Sequence, residues 1–206
     1  PTLRVLGKRS IRGDIIGNGM TILPARQKVI DFSVPTFPSA VWLLARADSP
    51  VRPITPSGDL ATDIKATKAK LSQGATFVMD NSCLDPKLYD LEGKGYRLHR
   101  FEKSTNLNDI VPAVLKQESE MTLLDVPDII DAMEKWPGQI KVIGPVSEEQ
   151  LMGAAFRKES PELRQAFDEF FVKLQRDGTY MSLVRKYFRS APRYLPDYFR
   201  GLSSGR

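Results

Sequence analysis

One cysteine and one histidine are all that 206 residues offer to thiol and imidazole chemistry. Cys83 alone cannot form an intramolecular disulfide, and a cysteine-rich metal site is excluded. His99 stands by itself in "YRLHRF", a segment that reads as a strand with its polar positions outward. A Ser-His or Cys-His nucleophile pair would have to use this residue, and a solvated histidine is the simpler expectation. No apolar run approaches the length of a membrane span. Like charges never gather into blocks of five or six, so the net charge of +5 is spread along the chain. That pattern gives no nucleic-acid footprint, and its mild positive field favours anionic ligands. Internal repeats and low-complexity tracts are absent. A leader pattern is absent too, and the start at Pro1 fits a processed or trimmed product.

What is present is an ordinary globular composition, 41% hydrophobic, enough to bury a core in one domain or two small lobes. "GDIIGNGMTI" joins a short apolar strand to glycines and a turn-prone Asn-Gly. "ILPARQKVIDF" follows, with Pro24 at a helix start and a short helical turn through Arg26. "AVWLLARAD" is a continuous apolar run suited to a buried strand, and the proline-rich 49–59 is a loop. Between residues 59 and 145 helical and strand patterns alternate. They predict an α/β lobe with a largely parallel sheet. Gly74 is expected to stop the helix over 59–72, and Ser104, Thr105 or Asn106 to cap the one that follows. "SPELRQAFDEFFVKLQRDG" is the best-marked helix, with Ser160 as N-cap, Pro161 in the first turn and Gly178 as its end. Leu163, Phe167, Phe170, Phe171 and Leu174 form its apolar stripe, and Thr179 is the expected cap of the next helix. The aromatics of the tail, Tyr194, Tyr198 and Phe199, are expected to pack on the first lobe.

Three motifs then fall in order. "GDIIGNGMTILPARQKVIDFSVP" carries a Gly-Asp pair, a threonine, an arginine five residues on and Asp-Phe-Ser-x-Pro. "LLDVPD" places an aspartate at a strand end, and "FRKESPELRQAFDEFFVKLQRDGTYMSLVRKYF" pairs two helices across a Gly-Thr break. Together they resemble the family-3 extracellular solute-binding proteins, whose fold is the two-lobed α/β type II periplasmic binding fold with a hinge and an inter-lobe cleft. The resemblance runs over most of residues 11–190. It implies a discontinuous lobe one from residues 1–40 and 156–206, with hinge segments and lobe two in 41–155. About ten residues precede the Gly-Asp motif, where the family has a longer first wall, so lobe one is expected to be incomplete.

The resemblance also implies a site. Arg26 and Thr21 would hold a ligand carboxylate, the guanidinium through two parallel hydrogen bonds. Asn81, Ser82 and Cys83 occupy the turn that faces the same ligand in relatives, with Ser82 as a carboxylate partner and Cys83 replacing a hydroxyl. Asp125 would receive the α-ammonium. Read from the residues alone, Arg26 pairs instead with Asp31 or Asp14, the 81–83 turn caps a helix, Asp125 caps the helix after it and Asp128 is a surface residue. Trp42 and Phe37 stand near the hinge, as core or as cleft lining. The implied function is capture of a small polar or zwitterionic ligand, an amino acid, for an ABC-type permease in the periplasm or at the cell surface. Membrane association would come only through a partner or an anchor outside the chain. No cofactor, metal or nucleic acid is expected. Alternatives are a sensory input domain, an accessory domain of a murein transglycosylase, or a periplasmic dehydratase using Asp125 and Glu148.

Overall fold

A strand from the second half of the chain, β9 (Gln150–Phe156), lies in the middle of a sheet built with strands from residues 15–39. The computed structural model describes residues 13–104 and 106–204. Thr105 and the first twelve residues, part of the expected lobe one, lie outside them. The chain divides into two compact units, Pro1–Ser39 with Glu149–Arg206, and Ala40–Glu148. In the first unit β1 (Ile15–Thr21) pairs antiparallel with one side of β9, and β2 (Asp31–Phe32) and β3 (Phe37–Ser39) pair antiparallel with the other. The Asn-Gly of β1 makes no turn. Ile16 faces Ala155 and Met20 faces Gly153, so the strand carries a bulge with two extra residues, and Gly19 takes φ +68° within it. Below it Met20, Ile30, Phe32 and Ala155 pack together with Ile16 and Ile22.

Pro24 opens α1 (Pro24–Gln27), as its position at the start of the turn requires. The long helix is α5 (Pro161–Arg176), followed by α6 (Thr179–Tyr187). Its apolar stripe is narrower than its spacing predicts. Phe167 meets Phe156 at 5.5 Å and Phe171 meets Tyr180 at 5.3 Å, whereas Phe170 is 57% and Leu163 38% exposed. Ser160 stands at the N-cap but its side chain makes no cap hydrogen bond. Asp177 closes the helix, Gly178 with φ +82° is the N-cap of the next, and Asp177 Oδ1 accepts from Thr179 N–H at 2.9 Å. Thr179 is therefore the first helical residue and not the cap. The tail forms α7 (Ala191–Tyr194) and α8 (Pro196–Ser204). It packs on this unit, with Phe199 buried against Phe37 and the Tyr198 hydroxyl donating to the Pro35 carbonyl.

The second unit holds β4 (Val41–Arg46), β5 (Thr76–Val78), β6 (Leu98–Arg100), β7 (Met121–Asp125) and β8 (Ile140–Pro145) in the order β6-β5-β7-β4-β8. β6, β5 and β7 are parallel, but β4 runs antiparallel to both β7 and β8. The sheet is mixed because the incoming and outgoing strands must share one end. Val146 and Ser147 both donate backbone N–H to the Val41 carbonyl, and Ser147 Oγ accepts from Val41 N–H at 2.8 Å. The apolar run of β4 is the core itself, with Leu43 and Leu44 fully buried against Leu123 and Leu124 of β7. Each such leucine contributes about 2 kcal/mol.

Helix α2 (Leu60–Lys70) starts where Asp59 Oδ2 accepts from Thr62 N–H at 2.8 Å, and lies on β8 at Gly144. A Cβ at Gly144 would fall 2.2 Å from Thr67 Oγ1 and 2.9 Å from Ile54, so only glycine allows this approach. Gly74 follows a 3-10 turn (Leu71–Gln73) in extended backbone, and a Cβ there would lie 3.0 Å from that of Glu120. It is there for space rather than for a left-handed stop. Asn106 caps the turn (Leu107–Asp109) ahead of α3 (Ile110–Leu115), accepting from Asn108 N–H at 3.1 Å. The last helix of this unit is α4 (Val126–Lys135).

Candidate functional site

In the first unit the candidate residues sit where β1 hands over to α1. Thr21 ends the strand and Pro24 starts the helix two residues later, which leaves Arg26 directed back at the strand end. Arg26 Nη1 donates to the Thr21 carbonyl at 2.8 Å, and the two residues are 8% and 2% exposed. The surface pairing with Asp14 or Asp31 does not form. Arg157 Nε lies 3.8 Å from Asp14 and Lys158 Nζ 3.9 Å from Asp31, and among the described residues no carboxylate comes within 4.0 Å of Arg26. A guanidinium carries five donors in a fork. One buried so deeply with one neutral acceptor among the described residues is a costly arrangement in the absence of an anion.

In the second unit β5 runs into the loop 79–85. Asn81 is exposed with φ +58°, and its backbone N–H donates to Asp85 Oδ2 at 2.8 Å. Ser82 Oγ donates to the Met79 carbonyl at 2.7 Å and accepts from Leu84 N–H at 2.9 Å, so its proton is committed inside the loop. Cys83 is buried. Its Sγ donates to Asp125 Oδ2 at 3.0 Å, and the Tyr89 hydroxyl donates to its carbonyl. Asp125 ends β7 at the N-cap position of α4, 2% exposed, and its side chain makes no cap hydrogen bond. The thiol takes the place the cap would have had.

Asp128, one turn into α4, is half-buried. Burial first, then the charges of Asp125 and Asp131, push its carboxyl up to about 7, with Lys135 opposing. It is thus more than a surface helix residue. Glu148 is exposed, its carbonyl accepting from Ser147 Oγ. His99 is exposed as expected, its ring edge-on to Phe77. Trp42 packs, half-buried, against the core of its unit, and Phe37 packs on Phe188 and Phe199.

The fold therefore brings Thr21 to Arg26 and Cys83 to Asp125, each pair within its own unit. Sequence reasoning missed Asp85 and Tyr89 and took Asp128 for a surface residue. Asp85 was visible in principle, because an Asp before Pro86 is a helix-start signal, and it accepts from both Asn81 and Lys87 N–H. Tyr89 and Asp128 acquire their roles through packing, which no local pattern announces. Among the described residues no group of three or more His, Cys, Asp or Glu side chains could hold a metal ion, and no helix is long and apolar enough to cross a membrane.

Membrane-bound lytic murein transglycosylase F of Desulfosudis oleivorans is 24% identical over 178 residues, which cover 85% of this chain and 36% of that protein. The L-cystine-binding protein TcyJ of Escherichia coli is 25% identical over 185 residues, 87% of this chain and 61% of that protein. The chain thus spans about a third to three-fifths of the length of these curated relatives. A mutant of ArgBP from T. maritima superposes with a TM-score of 0.71 at 24% identity, over 91% of this chain and 73% of that one. The solute receptor for L-cysteine of Neisseria gonorrhoeae gives 0.70 at 18% identity, over 93% and 70%. These likenesses establish the fold as the two-lobed α/β type II periplasmic binding kind. Residues 5–190 match the family profile itself, and the chain belongs to the bacterial extracellular solute-binding proteins, family 3.

Proposed function

We propose that this chain is a receptor module that captures a small zwitterionic solute, an amino acid, outside the cytoplasm and presents it to an ABC-type permease. The observation that carries the reading is Arg26, only 8% exposed, with one neutral acceptor and no carboxylate within ion-pair distance among the described residues. A planar anion completes such a fork. Thr21 lies beside it to contribute to the same carboxylate. Asp125, oriented by the Cys83 thiol, supplies the opposite charge for an ammonium. In this reading the 81–83 turn acts through that orientation, since the Ser82 hydroxyl already serves the Met79 carbonyl.

Relatives named for L-cystine and L-cysteine, and structures named for arginine binding, support amino acids as the ligand class. A second reading, an input or accessory domain of a larger envelope protein, is favoured by the transglycosylase F relative, of which this chain matches 36%. In both readings the module binds and does not catalyse.

The test is titration calorimetry with L-arginine, L-glutamine, L-cystine and murein peptides. Binding of one of the free amino acids supports the transport reading, and binding of murein peptides alone supports the accessory one. Arg26→Ala is expected to weaken carboxylate binding by roughly 100-fold or more with the fold intact. Undiminished affinity in that variant rejects the assignment.

A further inference from the structure

The tail docks beside the stretch by which the chain leaves the first unit, and it lies past the residues that match the family profile. The family match ends at residue 190, and α7 and α8 follow it. They are anchored, with Ala191, Leu195 and Phe199 no more than 6% exposed. The ring of Phe37 in β3 packs on Phe188 at 5.0 Å and on Phe199 at 5.9 Å. The Tyr198 hydroxyl donates to the Pro35 carbonyl at 3.3 Å. Glu149 faces the Tyr198 amide and Arg200, with Asp197 beside it; burial first, then Asp197, raises its carboxyl above the usual range.

These partners are not scattered. Pro35–Ser39 is the stretch by which the chain leaves the first unit, and Glu149–Met152 the stretch by which it returns. The two are neighbours in the sheet, Phe37 opposite Met152 and Ser39 opposite Gln150. Ser39–Ala40 and Glu148–Glu149 are the covalent links between the units, so any reorientation of one unit against the other must turn the backbone there.

We propose that residues 191–204 are a strap that grips the first unit's side of both links and limits how far the units can reorient. The strap acts on the links themselves and does not depend on the identity of any ligand. Its aromatic anchors are Phe199 and Tyr198, held on Phe37 and Pro35, and the grip reaches the returning strand through the pairing of Phe37 with Met152.

The test uses the full chain with two readouts. Hydrogen exchange reports on 34–39 and 149–152. Spin labels on Lys65→Cys and Glu169→Cys, one exposed position in each unit, report the distribution of inter-unit distances, with buried Cys83 left in place. Phe199→Ala is expected to speed exchange in both link segments by about tenfold, to leave Leu43 and Leu123 unchanged, and to broaden the distance distribution. Exchange unchanged at the links, acceleration spread evenly over all strands, or an unaltered distance distribution each overturns the proposal. If Phe199→Ala does not fold, Tyr198→Phe, which keeps the ring and removes only the hydroxyl bonded to Pro35, is read the same way.

Discussion

Arg26 and Asp128 show two opposite ways in which burial acts on a charge. The cost of burying the guanidinium is met by acceptors, of which the Thr21 carbonyl supplies one. The carboxyl of Asp128 can take up a proton, and it does so at about 7 instead of 3.8. A carboxyl raised on folding contributes its stability in full below about pH 4 and loses it as the pH climbs toward 7. Asp128→Asn should therefore raise the melting temperature at pH 8, by an amount equivalent to about 1–3 kcal/mol, and leave it nearly unchanged at pH 4. Melting curves at the two pH values check this. If a ligand ammonium settles by Asp125, it also lowers the proton affinity of Asp128, so binding near pH 7 should release protons. Calorimetry in buffers of different ionisation enthalpy reads that release directly. At this scale the sequence offered Arg26 and Asp125 only through the family resemblance, the residues alone reading as a surface ion pair and a helix cap. It could not disclose Asp128, whose behaviour comes from surroundings assembled by folding.

Among the elements, helix starts separate sequence pattern from actual bonding. Ser160-Pro161-Glu162 has the full signature of a start, yet the Ser160 side chain bonds to nothing at the helix end. Asp59 makes a cap bond of 2.8 Å to Thr62. Asp59→Ala should thus cost about 1 kcal/mol in denaturant unfolding and Ser160→Ala less than about 0.5, although the pattern alone ranks them the other way. The seat of α2 on β8 is stricter. Gly144→Ala drives a methyl into Thr67 and Ile54 and should cost about 2–3 kcal/mol in the same assay. Helices and strands were largely legible here, α5 from its end signals and apolar stripe and β4 from its continuous apolar run. Which glycine answers to space and which to φ was not, since Gly74 and Gly178 look alike in the sequence and differ only in their neighbours. The bulge in β1 adds an even number of residues, so strand alternation survives it. Loss of Asn18 alone would reverse the faces of Met20 and Thr21, whereas loss of Asn18 and Gly19 together would keep them.

Across the molecule, the second unit carries a broad buried cluster centred on β4 and β7. Amide exchange should be slowest at Leu43, Leu44, Leu123 and Leu124 and faster in β1 and β2, where the described cluster is small. Exchange mapped by mass spectrometry decides this, and protection in β1 equal to that in β4 would contradict it. The α/β class was readable from the alternation of patterns. The antiparallel placement of β4 was not, because strand order and direction arise from where the chain must exit and leave no mark on hydrophobic spacing.

The position of β9 has a further consequence for synthesis. Residues 40–148 form a contiguous unit and can complete their sheet as they leave the ribosome. β1, β2 and β3 emerge earlier but, among the described residues, pair with a strand made more than a hundred residues after each of them. Their edges stay open through that interval, so these strands, translated ahead of the second unit, are finished after it.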